Sequence, residues 1–456
     1  MEDRRAGRDI VLGHAMTEAR ESAAPDEAGR RGAFVALGIL VMAAAFVMLR
    51  TGRDALYFQR DGLLDLPKAY IGIAVLSVPF AFGTLGLMRL LGPRAARVAA
   101  PLAVAAVFWL AAAHATPGGG IYNSVLFMLV PLAFGVLFSL GWLLAADLLD
   151  GASADTLARA YGGIGAGAIV GGVAGGALGR VLATRLEPQE LMQLGAALLG
   201  ASALVMLAAQ LRYPPHPLTA EAGPASVAEA GRRGDPWRVL AEPYGLLLLA
   251  AAATGSLVGI FVEFQFYVAA ATSGASARES ARFFASFYLA LNAAALGVQL
   301  YLMPRVQRWL GVHRSLLIMP AAVMGMAALL VANTSLLVRS GLRVTEGGLK
   351  ASIHRANWEQ AFLPLPARER HAAKVAIDGG AARIAEGIAA GCLYVWLVVV
   401  VGDRPLVGQS ASWLTYLILV AGLGWLVSLR ALGRAAAARG VDLKASPRLD
   451  LPLPDT

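Results

Sequence analysis

Runs of about 20 apolar residues, each able to cross the roughly 30 Å of hydrocarbon in a bilayer, recur throughout this chain, from ALGILVMAAAFVML to YLILVAGLGWLVSL. A segment surrounded by lipid has to satisfy its own backbone hydrogen bonds, so each such run is read as a helix. Composition agrees: of 456 residues 57% are hydrophobic and 15% charged, against about 25% charged in a soluble domain. Mean hydropathy is +0.62. The expected class is an all-α polytopic membrane protein.

Crossings fall near 33–50, 69–88, 98–114, 121–147, 158–180, 189–210, 240–269, 283–304, 315–333, 336–361, 373–400 and 411–429. The tenth is the least apolar. With it the number is even and both termini share one side. The first run follows a polar segment ending at Arg31 and lacks the small-residue cleavage site of a signal peptide, so it is expected to be a retained helix.

Basic residues set the orientation. Arg89, Arg94 and Arg97, then Arg232, Arg233 and Arg238, then Arg305, Arg308 and Arg314, then Arg368, Arg370 and Lys374 fall in connections on one side. The opposite connections are poorer, apart from Arg53, Arg60 and Lys68, which Asp54, Asp61 and Asp65 partly balance. The positive-inside bias puts the basic side and both termini in the cytoplasm, in a bacterial inner membrane. The net charge of +9 is therefore read as a topology signal, with no nucleic acid as partner. A single cysteine, Cys392, excludes an intrachain disulfide and a cysteine-built metal site. No cofactor is expected.

The chain divides into an N-terminal tail (1–31), a six-helix bundle (32–210), a Pro- and Gly-rich linker (211–238), a second six-helix bundle (239–430) and a C-terminal tail (431–456). The halves carry traces of duplication. RLLGPRAARVAAPLAV (89–104) aligns with RWLGVHRSLLIMPAAV (308–323), which places Gly92 on Gly311. Each segment joins the second crossing of its half to the third. Trp142, followed by Gly162-Gly163, also matches Trp358, followed by Gly379-Gly380. Parallel repeats of this kind build transporters whose substrate site lies between the halves, near the membrane midplane.

The fifth crossing has glycine at 162, 163, 165, 167, 171, 172, 175, 176 and 179. Small residues let helix backbones approach closely in lipid, and close packing is the expected role. The run has no Lys-Ser/Thr ending, which excludes a phosphate-binding loop.

Charge inside the tenth crossing needs a reason, because an ionised group at the bilayer centre costs at least about 2.5 kcal/mol. At 100° per residue Arg339, Arg343, Glu346, Lys350, His354 and Asn357 share a stripe about 80° wide. The stripe is expected to line an aqueous path, with Glu346 and Lys350 paired at i,i+4. Arg355 and Glu359 fall on the opposite side. Asp378, Arg383 and Glu386 in the eleventh crossing, Glu263 and Gln265 in the seventh, and Arg50, Arg53 and Asp54 at the end of the first complete the candidate substrate-binding or gating set. Basic groups slightly exceed acidic ones, which favours an anionic or zwitterionic small molecule. His354, Glu346 and Glu386 are candidates for carrying a coupling proton.

These residues sit in a recognisable pattern. RVTEGGLKASIHRANWEQAFLPLP (343–366), followed by AAKVAIDGGAARIAEG, resembles the ATP/ADP exchange carriers of plastids and intracellular bacteria and their free-living bacterial relatives. MLRTGRDAL (48–56) and LLAADLLDGASADTLARAYGGIGAGAIVGG resemble the family's first-helix end and its connection between the fourth and fifth helices. The resemblance implies a major facilitator plan of two six-helix halves that alternate between inward-open and outward-open forms. It also implies nucleotide contacts at Arg50, Arg53, Glu263 and the charges of the tenth helix. Where the nucleotide exchangers carry a lysine in the first helix, this chain has arginine.

The expected function is thus secondary active transport of an organic anion, a class that includes phosphorylated and nucleotide-like anions. The alternatives are another small polar solute or a lipid, and a non-transporting scaffold or sensor. No hydrolase elbow or paired-carboxylate motif points to an enzyme.

Overall fold

The computed structural model describes residues 3–59, 62–149, 154–213, 241–271, 276–365, 370, 373–401 and 409–438. Most of the expected linker, together with Arg60, Asp61, Arg368 and the end of the C-terminal tail, lies outside these residues. The described residues form helices and short connections, with no strand among them.

Among the described residues twelve crossings follow one another. They are α1 (Asp3–Tyr57, apolar from Glu27), α2 (Leu63–Thr84), α3 (Gly86–His114), α4 (Gly120–Leu148), α5 (Ala154–Leu182) and α6 (Pro188–Arg212), then α7 (Pro243–Ala271), α8 (Ala277–Ser315), α9 (Ile318–Ala332), α10 (336–361), α11 (Ala376–Val399) and α12 (Gln409–Ala438). Ten of these are long and apolar enough to span a bilayer. The two others are the short α9 and the polar α10. This is a multi-pass membrane protein.

The duplication is visible in the backbone. Near the start of α3, Gly92 breaks the helix with φ 77° and ψ 156°. Its partner in the repeat, Gly311, does the same before α9 with φ 68° and ψ −179°. Both dihedral pairs lie where a Cβ is strongly disfavoured, which explains glycine at the same point of each half. The two halves are six-helix bundles related by this repeat.

The glycines of α5 sort onto two faces. A Cβ on Gly167 or Gly175 would stand 3.0 or 2.6 Å from the carbonyl oxygens of Ala36 or Ala44 on α1, and Gly171 meets Leu40 in the same way. Gly172 and Gly176 instead face Asn292 and Leu289 on α8, across the boundary between the halves. Close packing is therefore what most of this glycine run provides. Gly162, Gly163 and Gly165, at the other end of α5, have nothing within 4 Å of a Cβ position, and neither do Gly83 and Gly86. The halves meet at the end where α1 joins α2 and diverge toward the end that carries the Gly92 and Gly311 turns.

The closed end is an aromatic seam. Tyr57 and Phe58 on α1 and Phe127 on α4 meet Tyr267 on α7 and Phe284 on α8. Phe58 stacks on Tyr267 at 4.5 Å between ring centroids and meets Phe284 at 5.9 Å. Such pairs contribute about 0.5–1.5 kcal/mol each beyond area burial. Gln59 donates to the Ser280 hydroxyl at 3.1 Å, and Arg278 pairs with Glu187. The hydrophobic core of the C-terminal half continues through this seam onto α1 and α2, whereas the rest of the N-terminal half keeps its own core.

Candidate functional site

Arg50 and Asp54 lie one turn apart on α1, with Arg53 beside Asp54. The sequence reading put Arg53 and Asp54 in the first outer connection. They lie instead inside a helix that runs on to Tyr57, 4% and 0% exposed respectively. The extension is possible because the pair neutralises itself: Arg53 donates to Asp54 from Nε at 2.7 Å and Nη2 at 2.5 Å. Arg53 also donates to the Phe127 carbonyl at 2.9 Å and lies over the Phe127 ring at 4.0 Å. Asp54 accepts further from the Tyr267 hydroxyl at 3.1 Å and from Tyr288. A carboxylate on the first half is thereby tied to two helices of the second.

Arg50, its Nε 3.7 Å from Asp54, reaches on toward the centre. It donates to Glu263 on α7 at 2.7 Å and to the Tyr267 hydroxyl at 3.2 Å, and its guanidinium lies over the Tyr288 ring at 4.5 Å. Glu263 also meets Arg343 of α10 at 3.2 Å. Arg343 pairs with Glu346, whose second oxygen lies 3.6 Å from the Lys350 ammonium. On α11, Arg383 donates to Glu386 at 2.7 Å. The candidate charges of α1, α7 and α10 thus form one chain of ion pairs crossing the boundary between the halves.

A cavity in two compartments adjoins this chain. One, of about 190 Å³, is walled by Arg50, Arg53, Tyr70, Phe127, Glu263 and Lys350 among others. The second, of about 500 Å³, shares Arg50, Arg343, Lys350, Arg383 and Glu386 with the first and continues past His354, Trp358 and Asp378 to Trp425 on α12. It runs toward the end at which the halves diverge.

The stripe expected on α10 reaches the cavity only from Arg343 to Lys350. Residues Lys350–His354 form a π turn, which holds one residue more than an α turn and shifts everything downstream. Arg355 and Trp358 consequently face the cavity, where uniform 100° spacing would put His354 and Asn357. His354 keeps a place on the wall, but Asn357 is fully buried, donating to the Ile353 carbonyl at 2.7 Å and accepting from Gln307 at 3.2 Å. Arg339 is buried above the cavity, and Gln265 donates to Thr415 at 2.9 Å within the second half. These three stand off the cavity wall. Glu359 turns to Lys374 at 2.6 Å, and Lys374 also holds Asp378 at 3.0 Å.

Sequence spacing gave no indication of Tyr70, Phe127, Ser256, Tyr267, Tyr288, Trp358 or Trp425 as parts of this region. The aromatic pairs at the ends of crossings, Tyr57-Phe58 and Phe266-Tyr267, were the available hint. Among the described residues no group of three or more His, Cys, Asp or Glu is placed to hold a metal ion.

No protein-family model and no curated protein matches the chain. Solved structures do. An auto-inhibited peptide transporter of the POT family is similar over 94% of this chain and 99% of its own, at 12% identity and a TM-score of 0.59. A D-xylose–proton symporter covers 88% of the chain and 96% of its own at 14% identity, with a TM-score of 0.58. The nucleoside transporter NupG covers 89% and 98% at 11% identity, with a TM-score of 0.56. At such identities the likeness is one of fold, and that fold is the major facilitator type, two six-helix bundles around a central cavity.

Proposed function

We propose that the chain is a secondary active transporter that carries an organic anion across the bacterial inner membrane by alternating access, with the cavity open to the cytoplasm in the form described above. The observation that carries this reading is the row of ion pairs from Arg50 through Glu263 to Arg343, Glu346 and Lys350, set in a cavity between two bundles. Charges buried in a membrane protein are costly and mark ion or substrate paths. Here the cations belong to both halves, so a bound anion would contact both.

Glu263 acts in this reading as an internal substitute for the cargo. With no cargo bound it neutralises Arg50 and Arg343 and ties the halves together. An anion arriving beside Lys350 competes for the same arginines and loosens that tie, which couples occupancy to reorientation. The scheme favours exchange of one anion for another, and it makes the phosphorylated or nucleotide-like anions implied by the family resemblance members of the class to be tried. Both termini and the basic Gly92 and Gly311 turns face the cytoplasm, as the charge bias requires.

The test is counterflow in proteoliposomes preloaded with members of a panel of carboxylates, phosphorylated sugars and nucleotides. Accelerated uptake of a labelled anion, lost in Lys350→Met with normal membrane insertion, supports the reading. Uptake of neutral solutes alone, or normal uptake by Lys350→Met, refutes it. A chain that inserts correctly and moves none of the panel points to the scaffold or sensor role.

A further inference from the structure

The larger compartment has an aromatic wall that the ion pairs leave unused. His354 stacks on Trp358 at 5.9 Å with 15° between planes and meets Trp425 edge-on at 5.4 Å. These rings are held in place. The Trp358 indole N–H donates to Asp378 at 2.9 Å, and Lys374 in turn grips Asp378. Trp425 is 2% exposed and lies so close to Gly255 that a Cβ there would stand 2.9 Å from the indole. The rest of this wall includes Ala251, Leu291, Met319 and Gly347, small or apolar groups with little to offer a hydrated sugar or a peptide backbone.

Charge limits the cargo further. Each wall carboxylate, Glu263, Glu346, Asp378 and Glu386, already has a cationic partner. When Asp54 and Lys374, which pair with wall groups from behind, and Glu359, which pairs with Lys374, are included, the cations of the cavity exceed its carboxylates by one. Arg355, farther along the aromatic compartment, has no carboxylate partner among the described residues, and Lys350 is only loosely held, its side chain 58% exposed and 3.6 Å from a carboxylate that Arg343 also holds. Lys350 stands between the ionic compartment and the aromatic one, in the wall of both.

We infer that the cargo is a monoanion with a flat aromatic body, its acid group at Lys350 and its ring against Trp358 and His354, and that polyphosphates are poor cargo. A surplus of one positive charge matches one negative charge, whereas a triphosphate would leave several charges uncompensated in a low-dielectric cavity. A compartment of about 500 Å³ accommodates a one- or two-ring acid. This inference rests on the cavity being the transport site proposed above.

Calorimetric titration of the purified full-length protein with phenylacetate, hexanoate, 2-phenylethanol and ATP tests it, alongside counterflow of the three anions in proteoliposomes. Phenylacetate is expected to bind about tenfold tighter than either hexanoate or 2-phenylethanol, a gap of roughly 1.4 kcal/mol, and to outcompete ATP. Lys350→Met should lose the preference for the acid over the alcohol, and Trp358→Leu should narrow the gap between phenylacetate and hexanoate. Should either variant misfold, the wild-type ranking decides alone. Tighter binding of ATP, equal binding of phenylacetate and hexanoate, or no binding of phenylacetate overturns the inference. Counterflow of ATP or of hexanoate without a ring preference leaves anion transport standing, whereas flux of none of the anions removes both.

Discussion

Glu263 is the single residue on which both arginine contacts converge, one from each half, at 2.7 Å and 3.2 Å. Replacing it with glutamine keeps the shape and removes the charge, leaving Arg50 and Arg343 close together without their shared counter-ion. Breaking a buried pair from one side costs about 3–5 kcal/mol, so Glu263→Gln should lower the melting temperature of the purified protein and abolish counterflow. The double variant Arg50→Met/Glu263→Met removes both partners and should recover most of that stability while remaining inactive. Equal melting of the single and double variants would mean that the pair is solvated and carries no such load. Arg343 offers a second test at this scale. Its guanidinium meets two carboxylates at once, which an ammonium cannot reproduce as a rigid fork. Arg343→Lys is therefore expected to cost about tenfold or more in counterflow rate with normal insertion; a wild-type rate would reduce Arg343 to a bare charge.

At the scale of elements, α5 and α10 show what a helix owes to its sequence and what it owes to its neighbours. The two glycine faces of α5 follow from spacing: 167, 171 and 175 recur every four residues, and so do 172 and 176. Gly176→Val should therefore overpack the α5–α8 contact and destabilise by about 1–3 kcal/mol, read as lower melting, whereas Gly165→Ala, in open space, should melt as wild type. Matching melts for the two would show that α5 does not press on α8. The charges of α10 from Arg343 to Lys350 were legible in the same way, because lipid forbids that stripe to face outward. The lower part was not. Uniform periodicity put Asn357 on the cavity and Arg355 away from it, and the π turn at Lys350–His354 reverses both. No residue type in KASIH announces a π turn, since its stability comes from packing and from the polar groups it lines. Deleting Ala351 should restore α geometry, swing Trp358 off the wall and abolish anion binding by calorimetry while leaving insertion intact; retained binding would show that the turn is incidental. The aromatic seam was hidden for another reason. Phe58 and Tyr267 belong to different halves, and only the tertiary fold brings their rings to 4.5 Å.

For the whole molecule, the distribution of contacts between the halves defines which way it faces. At the α1–α2 end, rings, ion pairs and the Gln59–Ser280 hydrogen bond join them; at the other end Gly83, Gly86 and Gly165 stand clear of any neighbour. Under the proposed transport role the second group should be exposed to water and the first protected. With Cys392 replaced by serine, Gly165→Cys should react with a membrane-impermeant maleimide added to inside-out vesicles, while Phe58→Cys stays unreactive from either face. The pair Gln59→Cys/Ser280→Cys should cross-link under mild oxidant in the absence of cargo and thereby stop counterflow, since alternation requires that seam to part. If occupancy releases Glu263 from Arg50 as proposed, adding a transported anion should slow the cross-link. If the cross-link forms and counterflow continues undiminished, the seam is not a gate and the anion must travel by a route other than rocking of the two bundles. If Gly165→Cys reacts only in right-side-out vesicles, the cavity opens outward and the positive-inside assignment of the basic turns is reversed.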